Sequence, residues 1–163
     1  MVVLLDSGTT TLAVAQALVG KRDLTVCTNS LANAQLLCRV AGTRVHLLGG
    51  EIDPNEEATT GIEVIEAIGR FRVDIAFVGA GGLSPDGEVT DYTRIGAEQR
   101  SRMISAAPRA YLVLDRTKFG RLTPLRIPGF EAAAAVIMDV PPPLPILEGL
   151  LRRGLRAMVA DEG

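Results

Sequence analysis

The chain has 163 residues, of which 47% are hydrophobic and 22% charged, with a formal net charge of −2. That is the size and balance of one globular domain able to enclose a core. It gives no general attraction to DNA or acidic membranes, and with no tryptophan and 4% aromatics there is little to stack on bases.

The first aliphatic run, Val2–Leu5, reads as a strand, and it ends in Asp6-Ser7-Gly8-Thr9-Thr10-Thr11 before an amphipathic helix over Thr10–Val19. A plain N-cap needs one hydroxyl. Five small hydroxyl or glycine residues in a row suit an anion instead, because Gly8 lets the backbone turn and the first N–H groups of the helix point outward. The second strand, Leu24–Cys27, empties into Thr28-Asn29-Ser30 before a helix over Leu31–Val40, which repeats the pattern one strand later. The third, Val45–Leu48, is followed by Gly49-Gly50-Glu51, which suits either an ordinary turn or close approach of backbone to a ligand. His46, inside that strand, reads as structural.

After a helix over Gly61–Phe71, the strand Asp74–Val78 runs into Gly79-Ala80-Gly81-Gly82. The glycines suggest a dinucleotide fingerprint, but the sixth position is Ser84 and the segment continues into the turn Ser84-Pro85-Asp86-Gly87 rather than a helix. No Walker phosphate loop is present. The remaining reading is a flexible backbone rim around a small polar ligand. Asp91 follows the turn, and a helix spans Ile95–Ala106. The fifth strand, Ala110–Leu114, is followed by Asp115-Arg116-Thr117-Lys118, where Lys118 is placed to neutralise a bound anion and Asp91 to accept from sugar hydroxyls. A strand over Ala134–Met138, the break Pro141-Pro142-Pro143, a helix over Pro145–Arg153 and a last strand over Leu155–Val159 complete the chain. Arg152, Arg153 and Arg156 read as a solvated helix end.

Short apolar strands alternating with helices predict an α/β domain with a doubly wound, mainly parallel sheet, in which ligands bind beyond the carboxyl ends of the strands. Cys27 and Cys38 sit in apolar surroundings and read as buried free thiols. With one histidine they make no structural zinc site, and a reducing cytoplasm is the expected compartment. No apolar stretch reaches the ~18 residues of a membrane span. Met1 leads directly into a strand, which predicts a single domain over 1–163 taken from a longer protein.

The stretches "DSGTTT", "TNS", "LLGGE", "DIAFVGAGGL", "EQRSRMI" and "LVLDRTKFGR" resemble, in order and spacing, the C-terminal effector domain of DeoR-family transcriptional regulators, over about Val2 to Asp139. The resemblance implies a fold similar to ribose-5-phosphate isomerase and coenzyme A transferases (ISOCOT-like). It also implies a sensor for a phosphorylated sugar or related intermediate. In full-length members an N-terminal winged helix-turn-helix contacts operator DNA, and most members are homo-oligomeric repressors; this chain would meet DNA only through that absent domain and would not meet a membrane. Carried over by motif, Asp6, Ser7, Gly8, Thr9 and Thr10 would cradle the phosphate beside Thr28, Asn29 and Ser30. Gly49, Gly50, Gly79, Gly81 and Gly82 would line the pocket, with Lys118 approaching the ligand. One departure stands out: the family usually shows Glu-Ala where this chain reads Gly96-Ala97, ahead of Arg100 and Met103. No metal or cofactor is called for.

The rival reading is a sugar-phosphate isomerase. Its proton transfer needs a carboxylate base, and the run resembling Asp-Gly-Ala-Asp in the related isomerases is Gly79-Ala80-Gly81-Gly82 here. The reading is therefore binding without turnover, with no catalytic residue.

Overall fold

A computed structural model describes residues 1–160. Strands β1 (Val2–Leu5), β2 (Leu24–Thr28) and β3 (Thr43–Leu47) are linked by helices α1 (Thr9–Leu18) and α2 (Leu31–Leu37). A short hairpin follows, β4 (Glu51–Asp53) with β5 (Ala58–Thr60), and then α3 (Ile62–Ile68) and β6 (Ile75–Val78). Next come β7 (Gly82–Leu83), β8 (Val89–Asp91), α4 (Arg94–Ser105) and β9 (Arg109–Leu114). The chain continues through β10 (Leu125–Arg126), β11 (Ala135–Met138), α5 (Leu144–Arg152) and β12 (Ala157–Val159).

Seven strands form one sheet in the order β12-β11-β9-β6-β1-β2-β3, parallel at every pairing. The chain winds outward from β1 to β3, then returns to the other side of β1 at β6. That reversal makes the carboxyl ends of β1 and β6 the switch point of a doubly wound sheet.

Alternation within the strands divides the core. Val3 and Leu5 of β1 pack with Ala15 and Leu37 under α1 and α2, whereas Leu4 joins Val64, Ile68, Met103, Ile146 and Leu150 on the opposite face, under α3, α4 and α5. Leu4, Leu5, Met103 and Leu150 are at most 1% exposed, and burying each such side chain contributes about 1.5–3 kcal/mol.

All seven strands read from the sequence are present, within two residues at either end. Two features differ. The edge strand β3 is only partly covered: none of its residues is fully buried, and Leu47 is 45% exposed; His46 lies there, its ring 5.0 Å from that of Phe71. The hairpin β4–β5 and the three-stranded antiparallel sheet β10-β8-β7 were not foreseen, since strands of two or three residues carry too few positions to show a period.

The cysteines correct a second expectation. Cys27 is buried, but Cys38 is exposed: it is the C-cap of α2, where the helix surface meets solvent. Burial pushes the Cys27 thiol up to about 11. A group whose pKa is raised on folding stabilises the fold below its unfolded value and loses that contribution as pH rises through the folded one, so the native protein keeps Cys27 protonated at pH 8. Ellman's reagent should accordingly titrate one thiol at pH 8 in buffer and two in denaturant; rapid reaction of both in buffer would contradict the burial of Cys27.

The Pro141–Pro143 run precedes α5 as expected, and Arg152 and Arg156 are exposed, but Arg153 does more than face solvent. Arg153 is 24% exposed, and its Nη1 donates to the carbonyls of Asp86 (2.6 Å) and Gly149 (3.1 Å), tying α5 to the Ser84–Gly87 turn.

No helix among the described residues is long and apolar enough to cross a membrane.

Candidate functional site

The site forms where β1 and β6 end. Asp6, the first residue beyond β1, is 2% exposed. Its Oδ1 accepts from the Ser7 N–H (2.7 Å), while its Oδ2 accepts from the Gly79 N–H (2.9 Å), so one carboxylate fastens the two strand ends together. Arg100, from the second turn of α4, completes the arrangement. Its Nε donates to Asp6 Oδ2 at 2.8 Å, and its Nη1 donates to both oxygens of Asp91 at 2.8 Å. Burial alone would weaken the Arg100 charge, but the Asp6 and Asp91 carboxylates outweigh it and hold the guanidinium well above its ordinary value. The side chains of Asp6 and Asp91 are each 3% exposed and that of Arg100 14%. Three charges locked at this depth form a fixed strut, unlike an exposed pair worth less than about 1 kcal/mol.

Beside the strut lies a cleft of two neighbouring chambers, which share Ser7, Glu56, Tyr92 and Arg100 in their walls. The smaller, about 70 Å³, is bounded by Ser7, Gly8, Thr9, Thr10, Gly79, Gly81 and Lys118. Helix α1 opens into it with Gly8 as N-cap, at φ 115°, and with no side-chain cap. Two of the threonine hydroxyls are engaged elsewhere: Thr11 Oγ1 donates to the Gly8 carbonyl at 3.0 Å, and Thr10 Oγ1 to Asp115 Oδ2 at 3.4 Å. The Leu12 N–H is paired with the Gly8 carbonyl (3.0 Å), which leaves the amides before it as the free donors of a helix N-terminus. By contrast Ser30 and Thr93 cap α2 and α4 through their side chains.

Lys118 reaches the same chamber from a 3-10 turn over Arg116–Lys118, nucleated by Asp115, whose Oδ1 accepts from the Thr117 N–H at 2.8 Å. Desolvation works against the Asp115 charge, but the Thr117 hydroxyl and N–H and the nearby Lys118 prevail and hold its carboxyl below the usual range. Arg100 borders both chambers, and its Nη2 makes no hydrogen bond to any described residue while its other two nitrogens are engaged. Helix amides, a lysine and a fixed guanidinium edge converge there, which is the chemistry of an oxyanion or phosphate site.

The larger chamber, about 370 Å³, is walled by the β4–β5 hairpin on one side and the start of α4 on the other. The hairpin hangs from Asn29: Thr59 N–H donates to the Asn29 carbonyl (2.8 Å), and Asn29 Nδ2 donates to the Thr59 carbonyl (3.2 Å). Gln99 braces it from the other side, its Oε1 accepting from Thr60 Oγ1 (2.8 Å) and the Gly61 N–H (2.7 Å). Gly96 is the third residue of α4, where a glutamate would complete a capping box with Thr93. A Cβ there would meet Thr93 Oγ1 at 2.8 Å and Asp91 Oδ2 at 3.1 Å, so glycine leaves both room and bare backbone on the cleft wall.

Of the residues singled out in the sequence, Asp6, Ser7, Gly8, Thr9, Thr10, Asn29, Gly79, Gly81, Asp91 and Lys118 line the cleft. Thr28 and Ser30 do not; Thr28 Oγ1 accepts from the Ser30 N–H (3.1 Å), and Ser30 Oγ from the Asn33 N–H (3.1 Å). Gly49 and Gly50 lie outside the lining between β3 and β4, where a Cβ at Gly50 would stand 2.9 Å from the Thr60 carbonyl. Gly82 starts β7 against Arg121, and a Cβ on it would overlap the Arg121 carbonyl oxygen. Sequence reading missed Arg100 as a site residue, along with Gln99, Tyr92 and the acidic hairpin residues Glu51, Asp53 and Glu56. Two buried aspartates demanding a cation were the available signal for Arg100. Among the described residues, no group of three or more His, Cys, Asp or Glu is placed to hold a metal ion.

The sequence matches the DeoR C-terminal sensor domain over residues 1–140. It is 30% identical over 146 residues to the glycerol-3-phosphate regulon repressor of Escherichia coli K12, an alignment covering 90% of this chain and 58% of that protein. It is 29% identical over 160 residues to the HTH-type transcriptional repressor GlcR of Bacillus subtilis, covering 98% of this chain and 61% of that one. A putative aga operon transcriptional repressor of Escherichia coli O157:H7 is 26% identical over 160 residues, covering 98% and 60%. The chain thus spans about three-fifths of the length of these relatives. A doubly wound parallel sheet of the ISOCOT-like type, an uncapped helix at its switch point and a match along most of its length together make this chain a member of the DeoR C-terminal sensor-domain family.

Proposed function

We propose that this domain senses a phosphorylated sugar or related intermediate on behalf of a DNA-binding repressor of carbohydrate genes. The observation that carries the reading is the α1 N-terminus, which opens without a side-chain cap into a chamber bordered by Lys118 and the Arg100 guanidinium. Each charge-assisted hydrogen bond from these donors to a phosphate contributes roughly 1.5–3 kcal/mol, and the larger chamber has room for the sugar body. Operator DNA is contacted by a winged helix-turn-helix N-terminal to this domain, in keeping with the greater length of the relatives. The regulator works as a homo-oligomer in the cytoplasm, where two free cysteines stay reduced. Effector binding shifts DNA affinity only by the difference in effector affinity between two arrangements of that oligomer.

Turnover is not part of this reading. An isomerase needs a carboxylate free to take a proton, and the two buried at the switch point, Asp6 and Asp91, are both committed to Arg100. Incubation with ribose 5-phosphate should yield no ketose.

Thermal shift against a panel of phosphorylated sugars, each beside its unphosphorylated counterpart, tests the reading. At a ligand concentration 100 times Kd the stabilisation is about 2.7 kcal/mol, and only phosphorylated members should deliver it. Lys118→Ala should weaken that ligand at least about tenfold with little change in the unliganded melting temperature. Equal shifts from both sets would remove the phosphate from the argument.

A further inference from the structure

Charge is divided along the cleft. The cations Lys118 and Arg100 border the small chamber, while Glu51, Asp53 and Glu56 of the β4–β5 hairpin line the large one, with Glu56 at the junction. Asp6 and Asp91 are neutralised by Arg100; the hairpin carboxylates have no cation partner among the ion pairs of the described residues. Glu51 in β4 and Glu56 in the turn that joins β4 to β5 are exposed and line the large chamber.

A second, independent observation points the same way. Asn29 is 2% exposed and lines the large chamber, yet its Oδ1 has no hydrogen-bond partner among the described residues. The Thr59 carbonyl can only accept, so the amide nitrogen must face it, and the oxygen is the atom left over. A buried acceptor without a donor costs about 1–3 kcal/mol, which a ligand N–H or O–H would recover. Acceptor and carboxylates ask for the same thing: a donor, and preferably a positively charged one.

Building on the sensor reading, we infer that the effector is zwitterionic: a phosphomonoester whose other end carries a protonated amine, as in a phosphorylated amino sugar. The phosphate sits over the α1 amides with Lys118, and the ammonium lies in the large chamber between Asn29 Oδ1 and the hairpin carboxylates. A neutral hydroxyl in that place would satisfy Asn29 but leave the carboxylates unanswered.

Matched pairs test this directly. Glucosamine 6-phosphate is compared with glucose 6-phosphate, and galactosamine 6-phosphate with galactose 6-phosphate, by calorimetric titration at pH 7. The amine member of at least one pair should bind about tenfold more tightly, and the advantage should shrink as pH rises and the amine loses its proton. In Glu51→Gln and in Glu56→Gln, both exposed positions that fold without strain, the ratio within the pair should fall towards one. The ratio matters because removing a carboxylate also eases phosphate binding in both members alike. Equal or tighter binding of the hydroxyl member in each pair that binds would overturn the amine assignment and leave the phosphate reading standing. If no phosphorylated member binds while the folded protein melts normally, both fall together.

Discussion

Arg100→Met should lower the unfolding free energy by about 3–5 kcal/mol, the usual result of removing one partner from a buried ionic arrangement. The substitution keeps most of the side-chain volume, so the effect is electrostatic. Asp6 and Asp91, each 3% exposed, would be left as two carboxylates facing one another across the vacated guanidinium. Arg100→Lys should fall between, because a single ammonium cannot reach Asp6 from one nitrogen and both Asp91 oxygens from another, as Nε and Nη1 do. Adding Asp91→Asn to Arg100→Met should recover part of the loss, since the remaining charge then faces a neutral amide. Urea unfolding with an unchanged m-value measures all three. A loss below about 1 kcal/mol for Arg100→Met would place the strut among ordinary surface pairs and remove its role in fixing the cleft.

The strut also explains how the site is held when empty. Asp6 reaches Gly79 through Oδ2 and Ser7 through Oδ1, so β1, β6, α4 and β8 meet at a single guanidinium–carboxylate arrangement. The α1 amides therefore present themselves in a fixed direction before any ligand arrives, and little ordering is charged against binding. The same arrangement commits both buried carboxylates of the switch point to Arg100.

What the sequence disclosed follows from distance along the chain. Asp6 to Thr10 lie within one βα junction, so a strand, a glycine and a helix start could be read together, and the structure puts all five on the cleft. Lys118 was legible by the same rule of strand ends. Arg100 was not, because its partners stand 94 and 9 residues away and nothing in "EQRSRMI" says which arginine turns inward. The hairpin Glu51–Thr60 was invisible as structure: its strands have three residues each, and their place is set by Thr59 and Asn29 rather than by a pattern. Glycines misled in a different way. Gly82 begins β7 and Gly50 stands between β3 and β4, and each makes room for a carbonyl of the protein itself, that of Arg121 and that of Thr60.

Gly149→Ala should destabilise the domain by about 3 kcal/mol, at the upper end of the cost of overpacking, although alanine is the better helix former by about 1 kcal/mol. Helix α5 passes so close to the Ser84–Gly87 turn that a Cβ at Gly149 would overlap the carbonyl oxygen of Asp86. That oxygen cannot withdraw easily: Arg153 Nη1 holds it at 2.6 Å, and the turn is closed by the Gly87 N–H on the Ser84 carbonyl at 3.0 Å. Glu148→Ala, one residue away on the exposed side of the helix, should change stability by less than about 0.5 kcal/mol. The comparison separates a helix-wide effect from the single contact. The turn leads directly into β8, whose last residue is Asp91, so a turn pushed aside by the new methyl also moves one anchor of Arg100. Gly149→Ala should then weaken phosphorylated ligands without touching them, whereas a variant that loses stability with ligand affinity intact would show that the hairpin β7–β8 absorbs the shift before it reaches the cleft.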